Sequence, residues 1–198
     1  MADSYSSVER LVLGPFRRIA RAVLLPLVWG LARAGIPPNA VSLAQIPIGA
    51  GVWLLIPPAP RAAWGLFVGA LILDGLDGAL ARHTKTASTY GALVDQVSDH
   101  VREITVIAAL GFNGLMNGGL AALYALAYPL SNFMLYLGTL HGVRAPLALK
   151  TWLTFYPLLF AYLWFGVNWL DYGAAISVVA MGLVSFWQLF ALRGRLDS

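Results

Sequence analysis

The sequence has no cysteine, three histidines and only 11% charged residues, less than half the charged share usual in soluble domains. The first absence excludes disulfides, thiolate metal sites and cysteine nucleophiles, and leaves the redox compartment open. The scarcity of charge, set against 59% hydrophobic residues and a mean hydropathy of +0.73, excludes an ordinary water-soluble domain. There is also no basic run. The 13 lysines and arginines are scattered among apolar segments, so the net charge of +4 reads as membrane topology and nucleic-acid binding is excluded. The apolar runs are continuous rather than alternating, which argues against a β-barrel, and no internal repeat or low-complexity tract is present.

What remains is an all-α, polytopic membrane protein. At ~20 residues per crossing, the 198 residues hold about six transmembrane helices in a single domain, 1–198. Spans are expected over 41–57, 62–82, 91–114, 119–140, 151–169 and 172–192, a six-span bundle over 41–192. Residues 7–33 carry Val8, Leu11, Val12, Phe16, Ile19 and Val23 at helical spacing, with Arg10, Arg17, Arg18 and Arg21 on another face. That pattern predicts an N-terminal amphipathic interfacial helix. Of the basic residues, all but Arg61 and Arg102 fall in segments that alternate to one side of such a bundle. The positive-inside rule makes that side cytoplasmic, with both termini on it.

Five of the nine acidic residues, Asp74, Asp77, Asp95, Asp99 and Glu103, fall inside the second and third expected spans. A carboxylate at mid-helix costs about 2.5–3.5 kcal/mol on insertion scales, so such a cluster needs partners, water or metal. At ~1.5 Å rise per residue, Asp74 and Asp99 both lie about 12 Å from the cytoplasmic ends of their spans. Asp77 and Asp95 lie about 6 to 8 Å in by the same rise. Spacings of three and four residues put each pair on one helix face, so four carboxylates face each other across two helices. Gly78 and Gly91 fall on the same faces, where bare backbone leaves room for a substrate or for close helix packing. Four such charges repel unless cations intervene. All-oxygen donors favour two hard divalent ions, Mg²⁺ or Mn²⁺, over zinc, an arrangement suited to in-line displacement at phosphorus.

The run Asp74-Gly-Leu-Asp77-Gly78-Ala-Leu-Ala81-Arg82, followed at eight residues by Gly91 and then by Asp95 and Asp99, resembles the signature of the CDP-alcohol phosphotransferase family. Every fixed position of D-x2-D-G-x2-A-R-x8-G-x3-D-x3-D is present at the right spacing. The Pro38-Asn39 turn, the basic N-terminal helix and the six spans are similar to bacterial members, among them the phosphatidylinositol phosphate and phosphatidylglycerophosphate synthases. The resemblance implies that Asp74, Asp77, Asp95 and Asp99 hold two divalent cations and that Asp99 also serves as general base. It implies that Gly78, Arg82, Ser88 and Gly91, with the turn Pro37, Pro38, Asn39 and Ala40, bind CDP-diacylglycerol. The implied reaction transfers the phosphatidyl group to a hydroxyl of a small polar alcohol, with inositol 1-phosphate or glycerol 3-phosphate favoured, and releases CMP. It also implies a homodimer in the cytoplasmic membrane with its active site facing the cytoplasm.

An acceptor phosphate needs cations, and Arg102, Arg144 and Arg193 are candidates on the appropriate side. Positive-inside anchoring is the stronger reading of Arg144 and Arg193. Arg102, with Glu103, sits three and four residues past Asp99, and an internal ion-pair network that orients the catalytic helix is the competing reading. Arg144-Ala145 resembles the Arg-Ala of inositol phosphate-using bacterial members, while Gly142 and His100 depart from their pattern. Two other functional classes are open: a divalent-cation transporter and a catalytically silent membrane scaffold. The transporter predicts acids spread through the membrane or inverted repeats, and here the four aspartates lie near one face.

Overall fold

The computed structural model describes residues 24–143, 145 and 151–196. Every regular element among them is helical: α1 (Leu24–Arg33), α2 (Pro38–Leu55), α3 (Pro60–His83), α4 (Thr89–Phe112), α5 (Gly118–Leu140), α6 (Thr151–Thr154), α7 (Tyr156–Phe165) and α8 (Leu170–Leu196). The chain forms two compact units that divide between Val106 and Ile107. The N-terminal unit contains α1, α2, α3 and α4 as far as Val106.

In that unit the four-residue link between α2 and α3 turns the chain back on itself, and the two helices pack along their length. Prolines mark both starts. Pro37 caps α2 in an extended conformation with Pro38 in the first turn, and Pro60 opens α3, positions where a missing N–H costs nothing. The described part of the expected interfacial helix is α1, whose Val28 is buried with Val41, Leu76 and Leu80. Leu25, Leu27 and Trp29 on α1 stay 51%, 52% and 64% exposed, so the described part of this helix is apolar on its outer side as well and does not show the expected polar face. Residues 7–23 of that expectation lie outside the described residues. The α1 C-terminus closes with Ile36 N–H on Leu31 O and Gly35 N–H on Ala32 O, which needs the left-handed φ of +68° at Gly35. At the end of α3 the same pattern of bonds, Thr86 to Ala81 and Lys85 to Arg82, forces Lys85 to a φ of 58°.

In the C-terminal unit α5 packs against α8, with α6 and α7 alongside α8. Asn117 caps α5 by accepting from Gly119 and Leu120 N–H at 2.9 and 3.2 Å. Its own N–H donates to Asp171 at 2.7 Å, tying the α4–α5 loop to the start of α8. Gly111 packs inside this unit, since a Cβ there would stand 2.8 Å from Ala121 Cβ.

Three helices are long and apolar enough to cross a membrane: Pro60–His83, Gly118–Leu140 and Leu170–Arg193. The expected six are thus found only in part among the described residues. α4 has the length, but Asp95, Asp99, Arg102 and Glu103 interrupt its apolar character. α2 is diluted by Asn39, Ser42, Gln45 and Pro47. The expected span 151–169 is broken into α6 and α7 because Pro157 lacks an N–H and its ring crowds the carbonyl four residues back. α7 then stops at Phe165, where Gly166 turns left-handed.

Candidate metal and nucleotide site

The carboxylates come together as the depth argument requires. α3 supplies Asp74 and Asp77, and α4 supplies Asp95 and Asp99. The side chains meet in two pairs across the helices, Asp74 with Asp99 and Asp77 with Asp95. One ligand oxygen from each of Asp74, Asp95 and Asp99 lies within 4.8 Å of the others, and all three residues are half-buried. Oxygens on opposite sides of one Mg²⁺ stand about 4.0–4.2 Å apart, given bonds of about 2.0–2.1 Å, so a triad within 4.8 Å reaches such an ion by closing a few tenths of an ångström. Its all-oxygen donor set is the one that hard ions such as Mg²⁺ or Mn²⁺ take. Asp77, 3% exposed, stands beside the triad with Oδ2 accepting from Ser42 Oγ at 2.6 Å.

The cage has an inner wall that sequence reading did not anticipate. α2 turns Ser42, Gln45 and Gly49 toward the acidic helices; all three are buried. Arg102 Nη1 lies 2.8 Å from Asp99 Oδ1 and also donates to Gln45 Oε1. Arg102, expected as an acceptor contact or an internal tie, is 2% exposed. A polar and small-residue stripe at spacings of three and four in an otherwise apolar helix was the available signal.

The expected nucleotide residues form two small groups at the outer end of the same helices. Gly91 donates its N–H to Ser88 Oγ at 3.0 Å, and a Cβ at Gly91 would stand 3.3 Å from both Ser88 Oγ and Asn39 Oδ1. Asn39 belongs to the Pro37–Ala40 turn, so turn and glycine face meet directly. Across on α3, Arg82 folds back over Gly78, with Nη1 3.3 Å from where a Cβ would be. Arg82 and Ser88 are exposed. Both glycines thus keep bare backbone beside polar side chains. Arg193 is exposed near the end of α8, and Arg144 lies outside the described residues.

The helical fold and this carboxylate cage define a class: over residues 36–190 the chain matches the CDP-alcohol phosphatidyltransferases, and it belongs to that family. A cardiolipin synthase (CMP-forming) from Oryza sativa subsp. japonica is 35% identical over an alignment of 104 positions that covers 46% of this chain and 32% of the relative. The chain thus spans about a third of that relative's length. Among solved structures it is similar to the phosphatidylinositol phosphate synthase PgsA1 of Mycobacterium tuberculosis. The form with manganese and citrate aligns at TM-score 0.68 and 19% identity, covering 83% of this chain and 86% of that one. The form with CDP-DAG bound aligns at 0.69 and 20%, covering 83% and 90%.

Proposed function

We propose that this protein is an integral membrane enzyme that transfers the phosphatidyl group of CDP-diacylglycerol to a hydroxyl of a small polar alcohol and releases CMP. The observation that carries the reading is the convergence of Asp74, Asp95 and Asp99 from two helices to within 4.8 Å. Divalent cations held by these residues and Asp77 would neutralise the diphosphate and favour departure of CMP. Asp99 takes the proton from the acceptor hydroxyl. The acceptor oxygen then bonds to the phosphatidyl phosphorus while the bond from that phosphorus to the oxygen of CMP breaks. Asn39, Ser88 and Gly91 on one side, with Gly78 and Arg82 on the other, hold the cytidine diphosphate portion. Arg193 and Arg144 remain the cations for an acceptor phosphate.

Membrane embedding is supported by three long apolar helices and by large side chains left exposed, among them Phe112 at 79% and Leu54 at 74%. The proposal includes six crossings, a cytoplasmic site and cytoplasmic termini, and a homodimer. The orientation places the cage where a polar acceptor arrives from water while the acyl chains stay in lipid. The acceptor is favoured as inositol 1-phosphate or glycerol 3-phosphate. The experiment measures CMP release and identifies the lipid product, with CDP-diacylglycerol and Mg²⁺ or Mn²⁺ offered with inositol 1-phosphate, glycerol 3-phosphate, serine or phosphatidylglycerol. Release that depends on one acceptor supports the reading and names the alcohol. Stimulation by phosphatidylglycerol alone overturns the small-acceptor assignment, and no release with any acceptor overturns the enzyme.

A further inference from the structure

Ser42, Gln45 and Gly49 occupy one face of α2, and each meets a group that belongs to the cage or touches it. Ser42 Oγ–H donates to Asp77 Oδ2 at 2.6 Å. Gln45 Oε1 accepts from Arg102, whose same nitrogen lies 2.8 Å from Asp99 Oδ1. A Cβ at Gly49 would stand 3.2 Å from Arg102 Cα, so the close approach of α2 to α4 depends on that hydrogen. We propose that this face of α2 positions the catalytic carboxylates: Ser42 sets Asp77, and Gln45, acting through Arg102, sets Asp99. The inference rests on the reading of these aspartates as metal ligands and of Asp99 as the base.

The chemistry of the three side chains supports a positioning role over contact with substrate. Arg102 is 2% exposed and Gln45 fully buried. A guanidinium at that depth is tolerated only with its partners in place. Reaching an acceptor would pull it from both Asp99 and Gln45. An amide at position 45 accepts a hydrogen bond from Arg102 without competing for its charge, so the attraction to Asp99 is left intact. A glutamate there would divide the charge between two carboxylates. Arg102 engages Oδ1 of Asp99 and so fixes the rotation of the carboxylate, which decides where Oδ2 points. Ser42 does the same for Asp77 through a neutral donor. Such outer partners, when removed, typically cost 10–100-fold in metal affinity or activity.

The test compares wild type with Ser42→Ala, Gln45→Leu, Arg102→Gln and Arg102→Lys in lipid nanodiscs. Mn²⁺ binding is read by electron paramagnetic resonance without substrates, and kcat and acceptor KM are read with the acceptor that stimulates the wild type. Ser42→Ala is expected to weaken Mn²⁺ binding about 10–100-fold. Gln45→Leu is expected to lower kcat by a similar factor, with acceptor KM within about threefold of wild type. Arg102→Lys should recover part of the kcat lost in Arg102→Gln, and combining Gln45→Leu with Arg102→Gln should cost no more than the worse single change. Acceptor KM raised about tenfold or more at unchanged kcat would make Arg102 a substrate ligand and overturn the proposal. So would Mn²⁺ affinity and kcat within about twofold of wild type in folded Ser42→Ala and Gln45→Leu. These two uncharged replacements decide the matter if Arg102→Gln does not fold. Wild-type protein that neither binds Mn²⁺ nor releases CMP overturns the functional reading and this proposal together, whereas variants that match an active wild type overturn the proposal alone.

Discussion

Replacing Gly49 by alanine tests how tightly α2 and α4 are held around the cage. The new methyl would stand 3.2 Å from Arg102 Cα and 3.6 Å from Arg102 Cγ. Relaxed carbon contacts lie near 3.5–4.0 Å, so the helices must part by roughly 0.3–0.8 Å. The obstacle is backbone, which cannot swing aside as the tip of a side chain does. Overpacking of this kind costs about 1–3 kcal/mol. The displacement falls one turn from Gln45 and opposite Arg102, and it is passed to Asp99. A misplacement of ~1 Å at a reacting group costs about 100-fold in rate, so a shift of half that size predicts a kcat loss of about tenfold. With seven tryptophans and no cysteine in the sequence, unfolding is followed by intrinsic fluorescence rather than by a thiol dye. Gly65→Ala is the control, because nothing lies within 4 Å of a Cβ there and helix propensity favours alanine by about 1 kcal/mol. Gly49→Ala with wild-type melting temperature and kcat would refute the reasoning.

Gly138→Ala would put a Cβ 2.5–2.8 Å from the buried Gln188 amide. A melting-temperature loss worth about 1–3 kcal/mol is expected, restored by adding Gln188→Ala. Among the described residues neither amide atom of Gln188 has a hydrogen-bond partner, so Gln188→Met is expected to raise the melting temperature by about 1–3 kcal/mol equivalent, and a lower one would reveal a partner. Lys85→Gly relieves a left-handed φ of 58° and should stabilise by about 1 kcal/mol, read in the same melt. Because native cysteine is absent, single cysteines at Ala59 and Thr86 report topology. In inside-out vesicles an impermeant maleimide should label the second and spare the first, and the reverse pattern would invert the orientation.

The acidic centre was legible because helix rise and spacing alone put Asp74 level with Asp99 and Asp77 level with Asp95, and the structure pairs them in that way. Gly91 is a fixed position of the family signature, whereas its meeting with Asn39 and Ser88 could not be reached from periodicity. Ser42 and Gln45 were not legible as partners of the acidic helices, because a lone polar side chain in an apolar run does not say what it faces. Which neighbour receives a helix face is decided by tertiary packing, and no local spacing encodes it. The split between α6 and α7 had a visible cause in Pro157, outweighed in the reading by the continuity of the apolar run. Arg102 was readable as a partner of Asp99 from the three-residue spacing, yet its bond to Gln45 spans 57 positions and needs the fold.

The central claim is that the carboxylates of α3 and α4 carry out a metal-dependent transfer in which Asp99 holds the proton. Its most direct test is CMP release from CDP-diacylglycerol by purified protein that has been stripped with chelator and then titrated with Mn²⁺ or Mg²⁺, alongside Asp99→Asn. The account predicts no release after stripping, recovery as the ion is returned, and no recovery in folded Asp99→Asn. Release that persists in chelator, or turnover by Asp99→Asn at the wild-type rate, would contradict it.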